Sequence, residues 1–359
     1  MATVSLCMIV KNEEDVLARC LDSASGIADE IIIVDTGSED KTKEIAKKYT
    51  DKVFDYTWND DFAAARNYSF DKATMDYCMW LDADDIITKH NRELIIQTKK
   101  SLNSNVDIVM MKYETAFDKN GRAIFSYYRE RLAKNNKQHR WVGRVHEVIP
   151  PQGNVLYNDA AVQHRKTKYS DPNRNLRIYE KMIASGTILD PRQLFYYGRE
   201  LVDHQRYDNA IDVLVNFIAD KHGWIENKIE ACRKLAFCYN KTGDRDKALK
   251  ILFSSFEFDL PRAEICCDIG LQYMDQNDYD KAAYWYEAAL RATKDDTNGG
   301  FIMEDCYGFI PYLQLCVCYF NQGDLVKSEK YNELAAKLKP ESEAVIYNKK
   351  LFSQLNGRS

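Results

Sequence analysis

Three absences narrow the field before any motif is read. There is no excess of positive charge: the formal net charge is −5 at pH 7, which gives no basic field to attract a nucleic acid. Ten cysteines are present, yet none is arranged as a CxxC pair. The adjacent Cys266–Cys267 and the near-adjacent Cys316 and Cys318 fall among apolar residues in helical patterns, which reads as buried free thiols in a reducing cytosol. No apolar run approaches the ~20 residues needed to span a bilayer. Met1–Val10 is too short and too quickly followed by charge for a signal peptide. The expectation is a cytoplasmic protein. What remains is an ordinary globular composition, 45% hydrophobic and 29% charged over 359 residues, with room for two or three domains.

The first half alternates two kinds of segment. Apolar runs at Thr3–Val10, Glu30–Asp35, Lys52–Trp58, Tyr77–Asp84 and Asp107–Tyr113 read as strands. Helix-like stretches lie between them. The first places Val16, Leu17, Cys20 and Leu21 on one face, and the second opens with Ser38 as a candidate N-cap. Strands alternating with helices imply an α/β, Rossmann-like fold with a mostly parallel sheet covered on both faces. Ligands bind outside the carboxyl ends of such strands, where Asp35 and Asp82 stand. DKNG (Asp118–Gly121) reads as a hairpin turn between two extended runs.

After about residue 169 the pattern changes. Ser170–Asn175 is turn-rich, and the rest reads as helical almost to the end. The expected organisation is an α/β domain over 1–169, a connecting segment over 170–190, and an all-α repeat domain over 191–359. Small residues recur in pairs twelve positions apart: Gly198 with Ala210, Ala236 with Ala248, Gly270 with Ala282, Cys316 with Ser328. A short polar turn separates each pair, and a bulky residue (Leu201, Tyr239, Tyr273, Tyr319) follows each first member by three. Two antiparallel helices pack closely only where small residues meet, and each pair needs neighbours to bury its outer face. This resembles tetratricopeptide repeats, with the connection before the last pair enlarged. The aromatics Tyr196, Tyr197, Tyr284, Trp285 and Tyr286 read as repeat core, with lining of an acceptor groove as the alternative for some of them.

In WLDADD (Trp80–Asp85) an apolar strand runs into a cluster of acids. Like charges repel and each wants water. If the strand stays extended, Asp82 and Asp84 point to the same side and form part of a site for a hard divalent cation with oxygen ligands. Asp85 is then expected to point away. A DxD alone recurs by chance; its position at the end of a buried strand is what gives it weight.

SLCMIVKNEEDVLARCLDSA, DEIIIVDTGSEDKT, WNDDFAAARN and WLDADD occur in that order, followed by WVGRVHEVI and VQHR. This succession resembles the family 2 glycosyltransferases, which have a GT-A nucleotide-sugar fold. With the repeats, it is similar to the bacterial group that includes peptide S-glycosyltransferases. The resemblance implies a UDP-sugar donor and Mn²⁺ or Mg²⁺. It implies that Asp35 contacts the uracil or ribose, that Asn12 and Glu13 border the nucleotide pocket, and that Arg66 lies near the base or pyrophosphate. Asp82 approaches ribose and metal, Asp84 is the principal metal ligand, His164 completes the metal site, and Glu147 is the catalytic base. Taken from the residues alone, Asp35 could cap the following helix and Arg66 could pair with an acid on its own helix. His164 stands apart from other metal-type residues, and Glu147 could face solvent from a strand. His146 is left out of catalysis.

The repeats offer a surface for a peptide or protein acceptor, or for a second subunit in a homodimer; a cell-surface glycan acceptor stays open. A non-catalytic tetratricopeptide adaptor would have no need of the acidic set together with Glu147 and His164. A nucleotidyltransferase would want a glycine-rich basic loop after the first strand, and MIVKNEED has no glycine.

Overall fold

A computed structural model describes residues 2–167, 171–295 and 299–356. The boundary expected at 169/170 lies outside the described residues, as does part of the enlarged connection before the last helix pair. By packing, the chain divides into Met1–Ile188 and Leu189–Ser359. Among the described residues no helix is long and apolar enough to cross a membrane.

The first unit runs β1 (Val4–Val10), α1 (Leu17–Ser23), β2 (Glu30–Asp35), α2 (Thr42–Ala46), β3 (Val53–Asp55), α3 (Phe62–Asp71) and β4 (Tyr77–Trp80). It continues with β5 (Asp85–Ile86), α4 (Lys89–Ser101), β6 (Ile108–Phe117), β7 (Ala123–Lys134), β8 (Val155–His164) and α5 (Arg174–Ala184). The strand order is β3-β2-β1-β4-β7-β6-β8-β5. β3, β2, β1 and β4 are mutually parallel, as is β6 with β8, while β7 runs antiparallel to both β4 and β6. The mostly parallel α/β sheet is therefore as expected.

β1 is apolar on both faces because both are covered. Val4, Leu6, Met8 and Val10 pack with Leu17, Cys20, Leu21 and Ile95 of α1 and α4. Cys7 joins Ile32, Val34, Trp80 and the α3 residues Ala63 and Phe70 on the opposite side. That two-residue alternation is the pleat itself. At the amino edge of the sheet Glu30 is buried and accepts hydrogen bonds from Lys52, Ser5 and Thr74. Burial alone would raise its carboxyl, but those three donors outweigh it and hold it at about 2.

Two local expectations change. α2 starts at Thr42, whose N–H donates to Asp40 Oδ1 at 2.9 Å; Ser38 does not cap it, and its Oγ instead accepts from Asn12 N at 2.9 Å. The fourth strand does not stay extended through Asp84. It ends at Trp80, and the chain turns so that Asp85 N donates to Asp82 O at 3.0 Å. The hairpin turn at Asp118–Gly121 forms as expected, with Gly121 at φ +79° and its N–H on Asp118 O at 2.9 Å.

The second unit is a series of helical hairpins of the tetratricopeptide kind. α6 (Pro191–Asp203) pairs with α7 (Tyr207–Ala219), α8 (Ile225–Thr242) with α9 (Arg245–Ser254), and α10 (Ala263–Met274) with α11 (Tyr279–Arg291). α12 (Phe309–Asn321) pairs with α13 (Leu325–Leu338), and α14 (Glu343–Asn356) follows. All eight small residues of the repeated pairs are buried. Each turn holds one residue in the left-handed region: Gln205 at φ 59°, Gly243 at 89°, Asn277 at 59° and Gly323 at 83°. Three of the second helices are capped by an aspartate (Asp244, Asp278, Asp324) that accepts from the N–H of a lysine three residues on. Those lysines lie over Tyr239, Tyr273 and Tyr319 at 5.7, 5.2 and 4.8 Å, so the recurring tyrosine has a cap to hold as well as a core to fill. Tyr286 is core as expected, but Tyr284 is 60% exposed.

A Cβ on Gly270 would lie within 2.9–3.0 Å of three atoms of the buried Tyr286 ring. Gly270→Ala gains about 1 kcal/mol of helix propensity against ~1–3 kcal/mol for overpacking a rigid ring. The expected result is a net loss of stability and a lower urea midpoint; an unchanged or higher midpoint would show that the α10–α11 contact can relax.

Candidate active site

β1, β2 and β4 are parallel neighbours, so the residues that follow them leave the sheet at one edge. Val10 is in register with Asp35. The loop after β1 is stitched to the loop after β2 by side chains. Asn12, at φ 56°, accepts from Glu39 N at 2.8 Å through Oδ1, and Glu13 N donates to Thr42 Oγ1 at 2.7 Å. Glu13 O also takes the first N–H groups of α1, from Val16 and Leu17. Asp35 is fully buried. Its Oδ1 accepts from Gly37 N at 2.9 Å and Ser38 N at 2.8 Å, whereas Oδ2 is buried with no partner.

The turn after β4 brings three acids against the end of β8. His164 is in register with Asp85. Its Nδ1 lies 3.3 Å from Asp84 Oδ1, 3.2 Å from Asp85 Oδ1 and 2.9 Å from the Tyr113 hydroxyl. Burial alone would lower this imidazole, but hydrogen bonds to Asp84 and Asp85 and the fields of Asp84 and Asp82 outweigh it and raise it to about 10. Asp85 does not point away. It is fully buried and paired with Arg131, itself fully buried, at 3.3 Å. Asp82, Asp85 and His164 each offer a ligand atom within 4.8 Å of the other two, and Asp84 borders the same spot through His164. Two carboxylate oxygens and an imidazole are a donor set that fits a divalent cation.

Arg66 joins the remaining parts. α3 starts at its cap Asp61, which accepts from Ala64 N at 2.9 Å, and this aims Arg66 inward instead of along the helix surface. Its Nη2 donates to Asp82 Oδ1 at 2.7 Å and its Nε to Glu147 Oε1 at 2.6 Å. Its guanidinium lies 5.0 Å from the Trp80 ring and 4.8 Å from that of Trp141, and its Nη1 is buried without a partner. Burial alone would raise the Asp82 carboxyl, but Arg66, helped by His164 and Arg131, holds it well below the usual range. Glu147 sits in a tight loop closed by Val142 and Val148, which exchange backbone hydrogen bonds at 2.9 and 3.1 Å. It faces Arg66, not solvent: its side chain is 11% exposed.

Asp82, Asp84, His164, Arg66 and Glu147 thus fall in one network, and Asp35, Asn12 and Glu13 line the same sheet edge. Sequence reading missed Asp85, Arg131, Tyr113, Trp80 and Trp141. A signal was available in Arg129-Glu130-Arg131, three consecutive charges inside the strand run of β7, a placement that needs partners on both faces.

Residues 5–164 match the family described as Glycosyl transferase family 2. Over that stretch the chain is similar to family 2 glycosyltransferase domains. A TPR repeat-containing protein of Synechococcus elongatus is 28% identical over 306 residues, 82% of this chain and 68% of its own. The SPbeta prophage-derived glycosyltransferase SunS of Bacillus subtilis is 29% identical over 225 residues, 59% of this chain and 52% of its own. The lipopolysaccharide core biosynthesis glycosyltransferase LpsC of Rhizobium meliloti is 28% identical over 159 residues, 42% of this chain and 58% of its own. The chain therefore spans only about half of the two curated glycosyltransferases. A crystal structure of MamA aligns with 46% of this chain and 82% of its own at 20% identity and TM-score 0.36.

The raised His164 has a consequence for the metal-free protein. A histidine whose folded value exceeds its ordinary 6.5 stabilises fully below about pH 6.5 and loses that contribution as pH rises through about 10. In EDTA, the urea midpoint of wild type is expected to exceed that of His164→Gln most at pH 6, with the gap closing above pH 10. A gap that is constant with pH would mean that His164 is not held charged by its aspartates.

Proposed function

We propose that the chain is a metal-dependent, inverting glycosyltransferase that moves a hexose or N-acetylhexosamine from a UDP-sugar to a side chain of a peptide or protein. The observation that carries this reading is Asp35, fully buried with one oxygen spent on the Gly37 and Ser38 N–H groups and the other unpartnered. An unmet buried acceptor costs ~1–3 kcal/mol, and a uracil N–H or a ribose hydroxyl would supply the missing donor. Asn12 and Glu13 fix the loops on either side.

Asp82, Asp84 and His164 would hold the cation, Mn²⁺ or Mg²⁺, which when bound supplies Lewis-acid neutralisation of charge on a leaving diphosphate. Arg66, already on Asp82 and with a free Nη1, adds a fixed positive charge beside the same group. Glu147 meets Arg66 through Oε1; among the described residues no donor reaches Oε2, which is left to take the acceptor's proton. In the transfer, the acceptor O–H or S–H gives its proton to Glu147 and the freed electron pair bonds to the anomeric carbon. The carbon–oxygen bond to the diphosphate breaks with its electrons going to UDP. One displacement inverts the centre, so no covalent enzyme intermediate is called for.

A peptide or protein acceptor is favoured by the helical hairpins, whose stacking builds an extended surface. LpsC, by its name, acts in lipopolysaccharide core biosynthesis, which keeps a glycan acceptor as the second reading. All ten cysteines are free and buried, which supports a reducing, cytoplasmic setting.

Incubation with a panel of UDP-sugars and candidate peptides, followed by mass spectrometry, tests the transfer directly. Glu147→Gln is expected to lower kcat by ~10²–10⁴-fold with UDP affinity retained; a near-wild-type rate rejects it as the base. Asp35→Asn is expected to weaken UDP binding about tenfold by calorimetry, and an unchanged affinity would remove Asp35 from the nucleotide site.

A further inference from the structure

The three acids of the turn after β4 are not equivalent. Asp85 takes four donors: the Tyr113 hydroxyl at 2.9 Å and His164 Nδ1 at 3.2 Å on Oδ1, and Asp82 N at 3.0 Å and Arg131 Nη1 at 3.3 Å on Oδ2. A carboxylate has about four lone-pair sites, so Asp85 is saturated by protein. It is also 0% exposed, and its removal would strand Arg131, whose Nε and Nη2 already lack partners. Withdrawing a partner from a buried charge costs ~3–5 kcal/mol. Among the described residues the Asp84 carboxylate meets only His164, at the same Nδ1 at 3.3 Å, and its side chain is 20% exposed.

We propose that Asp85 is not a metal ligand but a positioning residue: anchored by Arg131 and the Asp82 N–H, it and Tyr113 fix the ring of His164 through Nδ1. The ring nitrogen left for a cation is then Nε2, which has no protein partner among the described residues. The oxygens left for a cation are Asp84 Oδ2 and the lone pairs of Asp82 not taken by Arg66, on Oδ1 at 2.7 Å, or by the Tyr113 hydroxyl, on Oδ2 at 3.5 Å. Partners that orient a ligating histidine in this way are worth about 10–100-fold in metal affinity.

The inference rests on the metal-dependent reading above, and the test separates the two. Asp85→Asn would unpair Arg131 and risks the fold, so the informative variant is Tyr113→Phe. It keeps the ring that packs edge-on against Trp80 at 6.2 Å and lies under Arg131 at 4.2 Å. The probe is Mn²⁺ alone and with UDP, with free Mn²⁺ read by electron paramagnetic resonance. If Asp85 positions His164, Tyr113→Phe weakens Mn²⁺ binding about tenfold, and Asp84→Asn weakens it more. If Asp85 is itself a ligand, losing the hydroxyl frees Oδ1, and Tyr113→Phe binds Mn²⁺ as tightly as wild type or more so; that result overturns the proposal and leaves the metal-dependent reading standing. A wild-type protein that takes up no Mn²⁺ with or without UDP overturns both.

Discussion

The buried charges at this edge of the sheet are gathered around one indole. Trp80 ends the central strand β4, and three guanidiniums gather on its ring: Arg66 at 5.0 Å, Arg129 at 4.8 Å and Arg131 at 3.7 Å. Each also answers an acid: Arg66 pairs with Asp82 and Glu147, Arg129 with Glu130, and Arg131 with Asp85. Cation–π contacts are worth ~0.5–2 kcal/mol, less than the several kcal/mol needed to bury each ion. The ion pairs therefore do most of the compensating, and the ring decides where the arginines stand. A bound cation is one way to make such an acidic cluster tolerable. The chain's own arginines and His164 already do so.

Much of the architecture could be read in advance because it is periodic. The two-faced apolar strands, the alternation with helices and the twelve-residue spacing of small residues all reflect local rules that repeat. The site was partly readable for a different reason: Asp35, Asp82, Arg66, Glu147 and His164 stand in recognisable stretches. Their mutual contacts were not. Arg66 and Glu147 are 81 residues apart, and no local pattern joins them.

The turn at Asp82–Asp85 shows where the period-two rule stops. The rule holds while a strand has a neighbour to pair with, and β4 is paired only through Trp80. Beyond it, the buried Arg131 draws Asp85 inward, the Asp82 N–H closes on its side chain, and the backbone folds to suit. A tertiary ion pair here overrides local geometry, and its cationic half lies on a strand 46 residues further on.

The left-handed turn residues of the helical hairpins carry a consequence of their own. Two of the four are glycine, but Gln205 and Asn277 hold the same backbone region with a Cβ attached, at a cost on the order of 1 kcal/mol each. In a linear array, stability is a sum over units and their junctions. The first and third hairpins thus begin with a handicap that the second and fourth lack. Amide exchange along the array should be graded in an alternating order, with protection set by turn chemistry as well as by distance from the end.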